Sequence, residues 1–249
     1  MSRVERFPDV YAGAVRILAI THQDDAPAGV FGEVVTGAGH ELLGWRPDRE
    51  EPAPDLARCD AALLLGGAAH PHQNERYPWL RPEKAAIAAM LECDLPLLAV
   101  CLGAELTAEV AGRPAIPLDA PEIGWFPVTL TAHAEADPIF GALPSDFLVF
   151  QWHSLAIELP AEAVPLADGS AGLGAFRLGR AWAMQFHAEV TETIVHDWID
   201  HFGADRDAVA AGFEPDPVRS ETGARIADSV ALGTELCAAF LEHVATTRA

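Results

Sequence analysis

The sequence predicts an α/β fold: an open, mostly parallel, doubly wound sheet with an antiparallel extension and a C-terminal helical tail. Three observations lead to this prediction. In the first half of the chain, short continuous apolar runs alternate with helical segments, as parallel strands buried on both faces do. From Glu122 to Phe186, strand-like segments are separated by turn residues. In the last fifth of the chain, apolar residues recur at helical spacing.

The first half of the chain gives the elements of the parallel sheet. Apolar runs predict strands at residues 15–20, 41–45, 60–65 and 97–100. Helical patterns predict helices at about residues 29–38, 82–93 and 102–111. Pro82 is typical of a first helical turn, and a polar loop is predicted over residues 68–80.

The second half gives the extension and the tail. Strands are predicted at residues 125–130, 147–150, 174–178 and 181–186, with turns at residues 168–169 and 178–180. The four-residue spacing of Ile194 and Trp198 predicts a helix, and a longer helix is predicted over residues 221–247. We predict one domain over residues 1–200 and a helical extension over 201–249 that packs on the same domain as a cover.

Composition excludes several classes of function. The formal net charge is −21, from 37 acidic and 16 basic residues, so nucleic-acid binding is not expected. The four cysteines form no Cys-x-x-Cys pair, which argues against a disulfide framework and a thiolate zinc site. The only lysine, Lys84, does not follow a glycine, and no Gly-x-Gly-x-x-Gly follows a strand. No cofactor and no metal are therefore expected.

The segments that would direct the chain to a membrane are also not expected. Residues 1–10 are charged and lack the apolar core of a signal peptide. No apolar run approaches the roughly 20 residues that a membrane-spanning helix needs. We therefore expect a soluble, cytoplasmic protein with no membrane partner.

One stretch has the pattern of a strand–nucleophile–helix turn. The apolar run at residues 97–100 ends at Cys101, Gly103 follows, and a helical sequence begins. The positive end of that helix is expected to lower the pKa of the thiol toward roughly 3.5–7.5. From this stretch alone, a buried structural cysteine before a glycine turn is an equal alternative.

A cysteine nucleophile needs a base and a group that orients the base. The apolar run at residues 181–186 delivers His187 to a sheet edge, and Glu189 projects to the same side two residues later. His187 can then face Cys101 while Glu189 holds its other nitrogen. A polar loop histidine without a catalytic role is the alternative interpretation.

Acyl transfer also needs donors for the developing oxyanion. The backbone N–H of Leu102, directly after the nucleophile, is one candidate. Gly67, at the end of the neighbouring strand, is the second, although a glycine pair at that point can also simply turn the chain.

With these residues in place, the chain resembles a class I glutamine amidotransferase domain, of the type related to the glutaminase part of guanylate synthetase. The resemblance covers roughly residues 15–200. Its matching segments, in the family's order, are Leu63-Leu64-Leu65-Gly66-Gly67, Tyr77-Pro78-Trp79-Leu80, Cys101-Leu102-Gly103-Ala104, Glu122-Ile123-Gly124-Trp125, Trp152-His153-Ser154 and Gln185-Phe186-His187-Ala188-Glu189-Val190.

The resemblance implies a flavodoxin-like sheet and a cysteine-dependent cleavage of the side-chain amide of L-glutamine. It implies that Cys101, His187 and Glu189 form a catalytic triad that works through a thioester, with Gly67 and Leu102 at the oxyanion. It also implies that Glu105, Ser154 and Leu155 contact the substrate. A separate synthetase subunit would receive the ammonia, because no ATP-using domain is recognised here.

This sequence departs from the family at three positions. Glu105 stands where the family usually has Gln, Ala188 replaces a Pro, and Leu155 replaces an Asp of close relatives. Two alternatives stay open beside glutamine cleavage: a stand-alone γ-glutamyl peptide or amide hydrolase, and a catalytically silent ligand-binding relative. His70 and His72 have the spacing of a metal-binding pair, but no third ligand is evident and contact with the substrate is favoured.

Overall fold

The computed structural model describes residues 13–247 of the chain. Residues 1–12 and 248–249 lie outside the described part, and with them the N-terminal stretch on which the expectation about a signal peptide depends. None of the described helices is long and apolar enough to cross a membrane.

The described residues form one nine-stranded sheet and six α-helices. The strands are β1 (Arg16–Ile20), β2 (Glu41–Trp45), β3 (Ala61–Leu64), β4 (Leu97–Val100), β5 (Ile116–Leu130), β6 (Asp146–Ala156), β7 (Val164–Gly169), β8 (Gly172–Leu178) and β9 (Ala181–Met184). The helices are α1 (Gly29–Gly37), α2 (Leu80–Glu92), α3 (Leu102–Val110), α4 (Glu192–Phe202), α5 (Arg206–Ala210) and α6 (Pro215–Thr246).

The strand order in the sheet is β2-β1-β3-β4-β9-β8-β7-β5-β6. The first five strands in this order pair in parallel, and all later pairs are antiparallel. The predicted fold class is therefore confirmed. Because β4 and β9 are parallel neighbours, the residues that follow both strands meet at one edge of the sheet.

Helices cover both faces of the parallel part of the sheet. Because successive strand residues point to opposite sides, each strand contributes side chains to both apolar clusters. In β4, Leu98 and Val100 belong to the apolar cluster under α1 and α6, whereas Leu97 and Ala99 belong to the cluster under α2 and α3. The long helix α6 contributes an almost completely buried stripe to the first cluster: Leu232, Leu236, Cys237, Phe240, Leu241 and Val244.

The structure differs from the predicted elements in several places. Helix α2 begins at Leu80, two residues before Pro82, because proline is tolerated in a first turn whose N–H groups have no helical partners. Strands β5 and β6 are longer than predicted and pair as one extended hairpin. Strand β7, which contains Pro165, and the short helix α5 were not predicted.

Candidate active site

Cys101 lies in the sharp turn between β4 and α3. Its backbone has φ 50° and ψ −113°, a strained conformation for a residue with a side chain. The turn needs glycine at Gly103, since a Cβ there would lie 2.4 Å from the carbonyl oxygen of Leu64. The Cys101 N–H donates to the Met184 carbonyl at 2.8 Å, which ties the turn to the end of β9. The strand–nucleophile–helix geometry expected from the sequence is thus present.

The electrostatics of the thiol differ from the sequence-based expectation. The pKa of Cys101 lies well above its ordinary value, first because the thiol is buried and then because Glu105 and Glu189 are negatively charged nearby. Hydrogen bonds from the Leu102 N–H and from Gln185 act in the opposite direction but are outweighed. The expectation that the helix terminus would depress this pKa is therefore wrong. A thiol in this setting requires a base to become a nucleophile.

His187 and Glu189 lie beside the thiol. His187 Nδ1 and Glu189 Oε1 are 2.7 Å apart, and both side chains are almost completely buried. A Cβ placed on Gly66 would lie 3.5 Å from the Cβ of Cys101 and 3.1 Å from Cε1 of His187, so both side chains border the same point. His187 Nε2 has no hydrogen-bond partner among the described residues. This nitrogen is the one available to a thiol or a substrate.

Two glycines hold the backbone of the segment that carries His187 and Glu189. A Cβ on Gly233 of α6 would lie 2.0 Å from the Ala188 carbonyl oxygen, and a Cβ on Gly29 would lie 2.0 Å from the Glu189 carbonyl oxygen. The first turn of α1 also donates to this segment, from the Val30 N–H to the Glu189 carbonyl at 2.8 Å. Helices α1 and α6 therefore contact the backbone of residues 187–189, the histidine segment, directly.

The two candidate oxyanion donors lie next to the thiol. Leu102 is the first residue of α3, and its N–H reaches the Cys101 sulfur. Gly67 lines the same pocket as Cys101, and its N–H has no acceptor in the described part of the chain. Both therefore lie close to the thiol, and their role as oxyanion donors stays a prediction.

Glu105 lies in α3 at the floor of this pocket and is 3% exposed. Its Oε1 accepts a hydrogen bond from Gln185 Nε2 at 3.1 Å. Burial raises the pKa of Glu105 to about 7, although Gln185 and His153 favour its ionised form. Near neutral pH this carboxyl is therefore partly protonated and can donate as well as accept.

Ser154 and Leu155 belong to β6 and line the same pocket. The Ser154 hydroxyl is 3.4 Å from His70 Nε2, which joins β6 to the loop after Gly67. His153 Nδ1 is 2.7 Å from the Leu155 carbonyl, so this stretch of β6 is locally braced.

The pocket has a volume of about 470 Å³. Its lining includes Gly67, His70, Cys101, Glu105, Trp152, Ser154, Leu155 and His187. Among the lining residues that sequence reasoning missed are Asp205, Arg206 and Asp207, which lie at the start of α5. The signal for them is weak: Gly203 ends α4, and Asp205 stands at the N-cap position of a five-residue helix.

Lys84 fastens the loop that forms one wall of the pocket. Its Nζ donates to the Pro71 carbonyl at 2.7 Å, to Asn74 Oδ1 at 3.1 Å and to Glu109 Oε1 at 2.5 Å. The lysine side chain is only 16% exposed. His70 and Gln73 of the fastened loop line the pocket.

His70 and His72 pack in a T-shaped arrangement, with ring centroids 5.7 Å apart. Burial lowers the pKa of His70, which favours its neutral form. No group of three or more metal-ligating side chains is found within residues 13–247.

Comparison with known proteins places this arrangement in a family context. A family model described as glutamine amidotransferase class-I matches residues 35–202, which is most of the chain. The chain is 25% identical over 191 residues to the glutamine amidotransferase-like protein YfeJ of Salmonella typhimurium, covering 73% of this chain and 80% of that protein. It is 27% identical over 243 residues to a GMP synthase (glutamine-hydrolysing) of Aeropyrum pernix, covering 86% of this chain and 44% of that enzyme.

A solved structure shows the same fold. A glutamine amidotransferase from Thermotoga maritima superposes with a TM-score of 0.83 at 24% identity, covering 94% of this chain and 100% of that chain. The chain thus spans most of two of these relatives and less than half of the GMP synthase.

Proposed function

Because this chain belongs to the class-I glutamine amidotransferase family, a family of enzymes, we propose that it cleaves the side-chain amide of L-glutamine or of a γ-glutamyl compound. The observation that carries the proposal is the buried cluster of Cys101, His187 and Glu189 at the edge where β4 and β9 end. It combines a nucleophile, a base with one free nitrogen and a carboxylate that orients the base.

The cluster supports a two-step reaction. His187 Nε2 takes the proton of the Cys101 thiol, and the sulfur attacks the amide carbon while the N–H groups of Gly67 and Leu102 bind the oxyanion. His187 then gives the proton to the leaving nitrogen, so that the C–N bond breaks and a thioester remains. Water gives a proton to His187 and attacks the thioester; the C–S bond breaks, glutamate leaves and the thiol regains its proton.

The high pKa of the thiol is consistent with this sequence of events. In the resting site the Cys101 thiol keeps its proton and donates it to the Trp152 carbonyl at 3.7 Å. When the sulfur attacks the bound amide, negative charge moves from the sulfur to the amide oxygen. The oxyanion donors stabilise the charge there, so the thiol does not need to be ionised beforehand. Glu189 stabilises the imidazolium that forms on His187 in the same step.

The fate of the amide nitrogen separates two versions of the proposal. In one version the product is ammonia, which passes to a separate synthetase subunit; a relative named GMP synthase is consistent with this version. In the other, the protein alone hydrolyses γ-glutamyl amides or peptides. The pocket volume of about 470 Å³ leaves room for a ligand larger than a free amino acid, which is consistent with the second version.

The test is a glutamate-release assay of the purified protein against glutamine and a panel of γ-glutamyl amides and peptides. Cys101→Ala and His187→Ala should each reduce turnover by at least about 10³-fold, since they remove the nucleophile and the base. Glu189→Ala should reduce it less, because orientation rather than bond formation is lost. Cys93→Ala, which changes an exposed cysteine, is the matched control and should leave turnover unchanged.

Full activity in the purified Cys101→Ala variant would refute the proposal. If the wild-type protein releases no glutamate, and iodoacetamide fails to modify Cys101 in a Cys93→Ser background, the silent ligand-binding alternative is correct. Adding candidate synthetase subunits to the glutamine assay separates the two enzymatic versions, because only the ammonia-transferring version should be stimulated.

A further inference from the structure

Behind the glycine pair of the pocket lies a buried pair of charged side chains that the reaction does not use directly. His22 follows β1, and Glu83 lies in the first turns of α2. His22 Nε2 is 2.6 Å from Glu83 Oε1, and the two side chains are 1% and 0% exposed. His22 Nδ1 is 2.9 Å from the carbonyl oxygen of Gly66.

The direction of these hydrogen bonds can be assigned. A carbonyl oxygen only accepts, so His22 Nδ1 must carry a proton and donate it to Gly66. Burial alone lowers the pKa of His22, but the charge and hydrogen bond of Glu83 and the Gly66 carbonyl together raise it above the ordinary value of 6.5. The raised pKa favours the protonated ring, which donates from Nδ1 to Gly66 and from Nε2 to Glu83. The stacked Trp79 ring, 5.2 Å away, fixes the plane of the imidazole.

This bond to Gly66 fixes the peptide that links Gly66 to Gly67. The described residues contain no cis peptide bond, so the Gly66 C=O and the Gly67 N–H point in opposite directions. With the carbonyl drawn toward His22, the Gly67 N–H points away from His22. Gly67 lines the pocket beside Cys101, and its N–H has no acceptor within residues 13–247.

A peptide between two glycines needs an external hydrogen bond to fix its orientation. Glycine tolerates almost every backbone conformation, so the peptide can rotate at little cost unless something outside it binds one of its ends. The cost of removing two charges from water offsets much of the attraction within a buried ion pair, so such a pair adds little net stability. A positioning role therefore accounts for the His22–Glu83 pair better than a stabilising role does.

We propose that the His22–Glu83 pair is a positioning device that holds the Gly66–Gly67 peptide with its N–H directed at the oxyanion. The inference rests on the proposed function, since it assigns the Gly67 N–H to the tetrahedral intermediate. His22 and Glu83 are positioning residues, because neither lines the pocket that contains the thiol. An oxyanion donor acts only when the negative charge forms, so loss of the hold should lower kcat and leave KM almost unchanged.

The test uses a double variant, His22→Phe with Glu83→Leu, which removes the hold without leaving one charge buried alone. Its kcat should fall by roughly 10²–10³-fold, the usual effect of losing one oxyanion donor, with KM changed less than about threefold. Alkylation of Cys101 by iodoacetamide passes through no oxyanion, so its rate should stay within about threefold of the wild-type rate. These measurements are made in a Cys93→Ser background.

Three single variants distinguish positioning from general destabilisation. Glu83→Gln keeps an oxygen that can accept from His22 and should retain far more kcat than Glu83→Ala. Asp137→Asn changes another buried carboxylate, which binds Trp182 and Arg177 and does not line the pocket, and should leave kcat unchanged in folded protein.

A folded double variant with kcat within twofold of wild type would overturn the inference. So would a parallel loss of kcat, substrate affinity and Cys101 alkylation, which would indicate a purely structural pair. Crystal structures give a readout that does not need turnover: the Gly66–Gly67 peptide should be rotated in the double variant and unchanged in Glu83→Gln. If wild-type protein is inactive but the peptide is rotated in the double variant, the proposed function fails and the positioning role of the pair stands. If the peptide is not rotated in the double variant, the positioning role is overturned.

Discussion

After burial itself, Glu105 is the group that most strongly raises the pKa of Cys101. Its own pKa of about 7 lies above the ordinary 4.5, so the folded protein keeps a proton that the unfolded chain releases. The contribution of Glu105 to the free energy of unfolding therefore falls as the pH rises from about 4.5 to about 7. At higher pH the full penalty of the buried charge remains.

Glu105→Gln removes this penalty. The variant should melt at a higher temperature than wild type at pH 8 and show little or no gain at pH 4.5, which thermal denaturation at the two pH values will measure. The lost negative charge should also lower the pKa of the thiol, so alkylation of Cys101 at pH 8 should be faster. An equal gain in melting temperature of Glu105→Gln over wild type at both pH values would contradict the raised pKa assigned to Glu105.

At the scale of elements, the tail helix α6 does more than cover the sheet. Gly233 lets the helix approach the Ala188 carbonyl, one residue from His187. A side chain at that position cannot be accommodated unless the helix or the histidine segment moves, because the contact is with backbone. The sequence predicts α6 as a cover, and its direct contact with the candidate catalytic segment becomes evident only in the structure.

This contact predicts opposite effects for two glycines of the same helix. Gly233→Ala should destabilise the protein by about 1–3 kcal/mol, as overpacking does, and should reduce turnover by displacing His187. Gly223→Ala is the matched control: its nearest neighbour is a side-chain oxygen 3.9 Å away, and the change should stabilise the helix by about 0.5–1 kcal/mol. Chemical denaturation and the glutamate-release assay measure both effects; destabilisation by the two variants alike would contradict the argument.

The sequence predicts those parts of the site that depend on local pattern. The turn at Cys101 and Gly103 follows from a strand, a small residue and a helix in succession, and the His187–Glu189 pair follows from strand periodicity. The His22–Glu83 contact could not be predicted, because it joins residues 61 positions apart. Glu83 gave no signal either, since a glutamate in the first turn of a helix is usually exposed to solvent.

The electrostatic error has a physical reason. The sequence shows the helix terminus at Leu102, whose effect on the thiol is real. It also shows a carboxylate, Glu105, that can raise the pKa of the thiol, but it does not show the depth of Cys101 in the fold. Burial and neighbouring charge are properties of the assembled molecule, and here they exceed the contribution of one helix end.

At the scale of the whole molecule, charge is the dominant feature. The 37 acidic residues exceed the 16 Lys and Arg by 21, and like charges on one surface repel one another in the folded state. Salt screens this repulsion over distances of about 10 Å at 0.1 M. The folded protein should therefore gain stability when salt is added at neutral pH.

Thermal denaturation at pH 7.5 in low and moderate sodium chloride tests this prediction. The melting temperature should rise with salt, by roughly 2–4 °C for each kcal/mol of repulsion removed in a chain of this size. The same comparison near the sequence pI of about 4.6 is the control and should show a much smaller effect. A fall in melting temperature with salt at pH 7.5 would mean that specific ion pairs outweigh the net charge.

Lys84 carries the only side-chain amine of the chain, and three acceptors hold it against the wall of the pocket. Amine-directed reagents such as acylating cross-linkers therefore have one side-chain target, and that target is protected while the loop stays fastened. Modification of Lys84 would record each opening of the pocket wall as a permanent mass change. The protein thus contains a built-in chemical reporter of access to its own pocket.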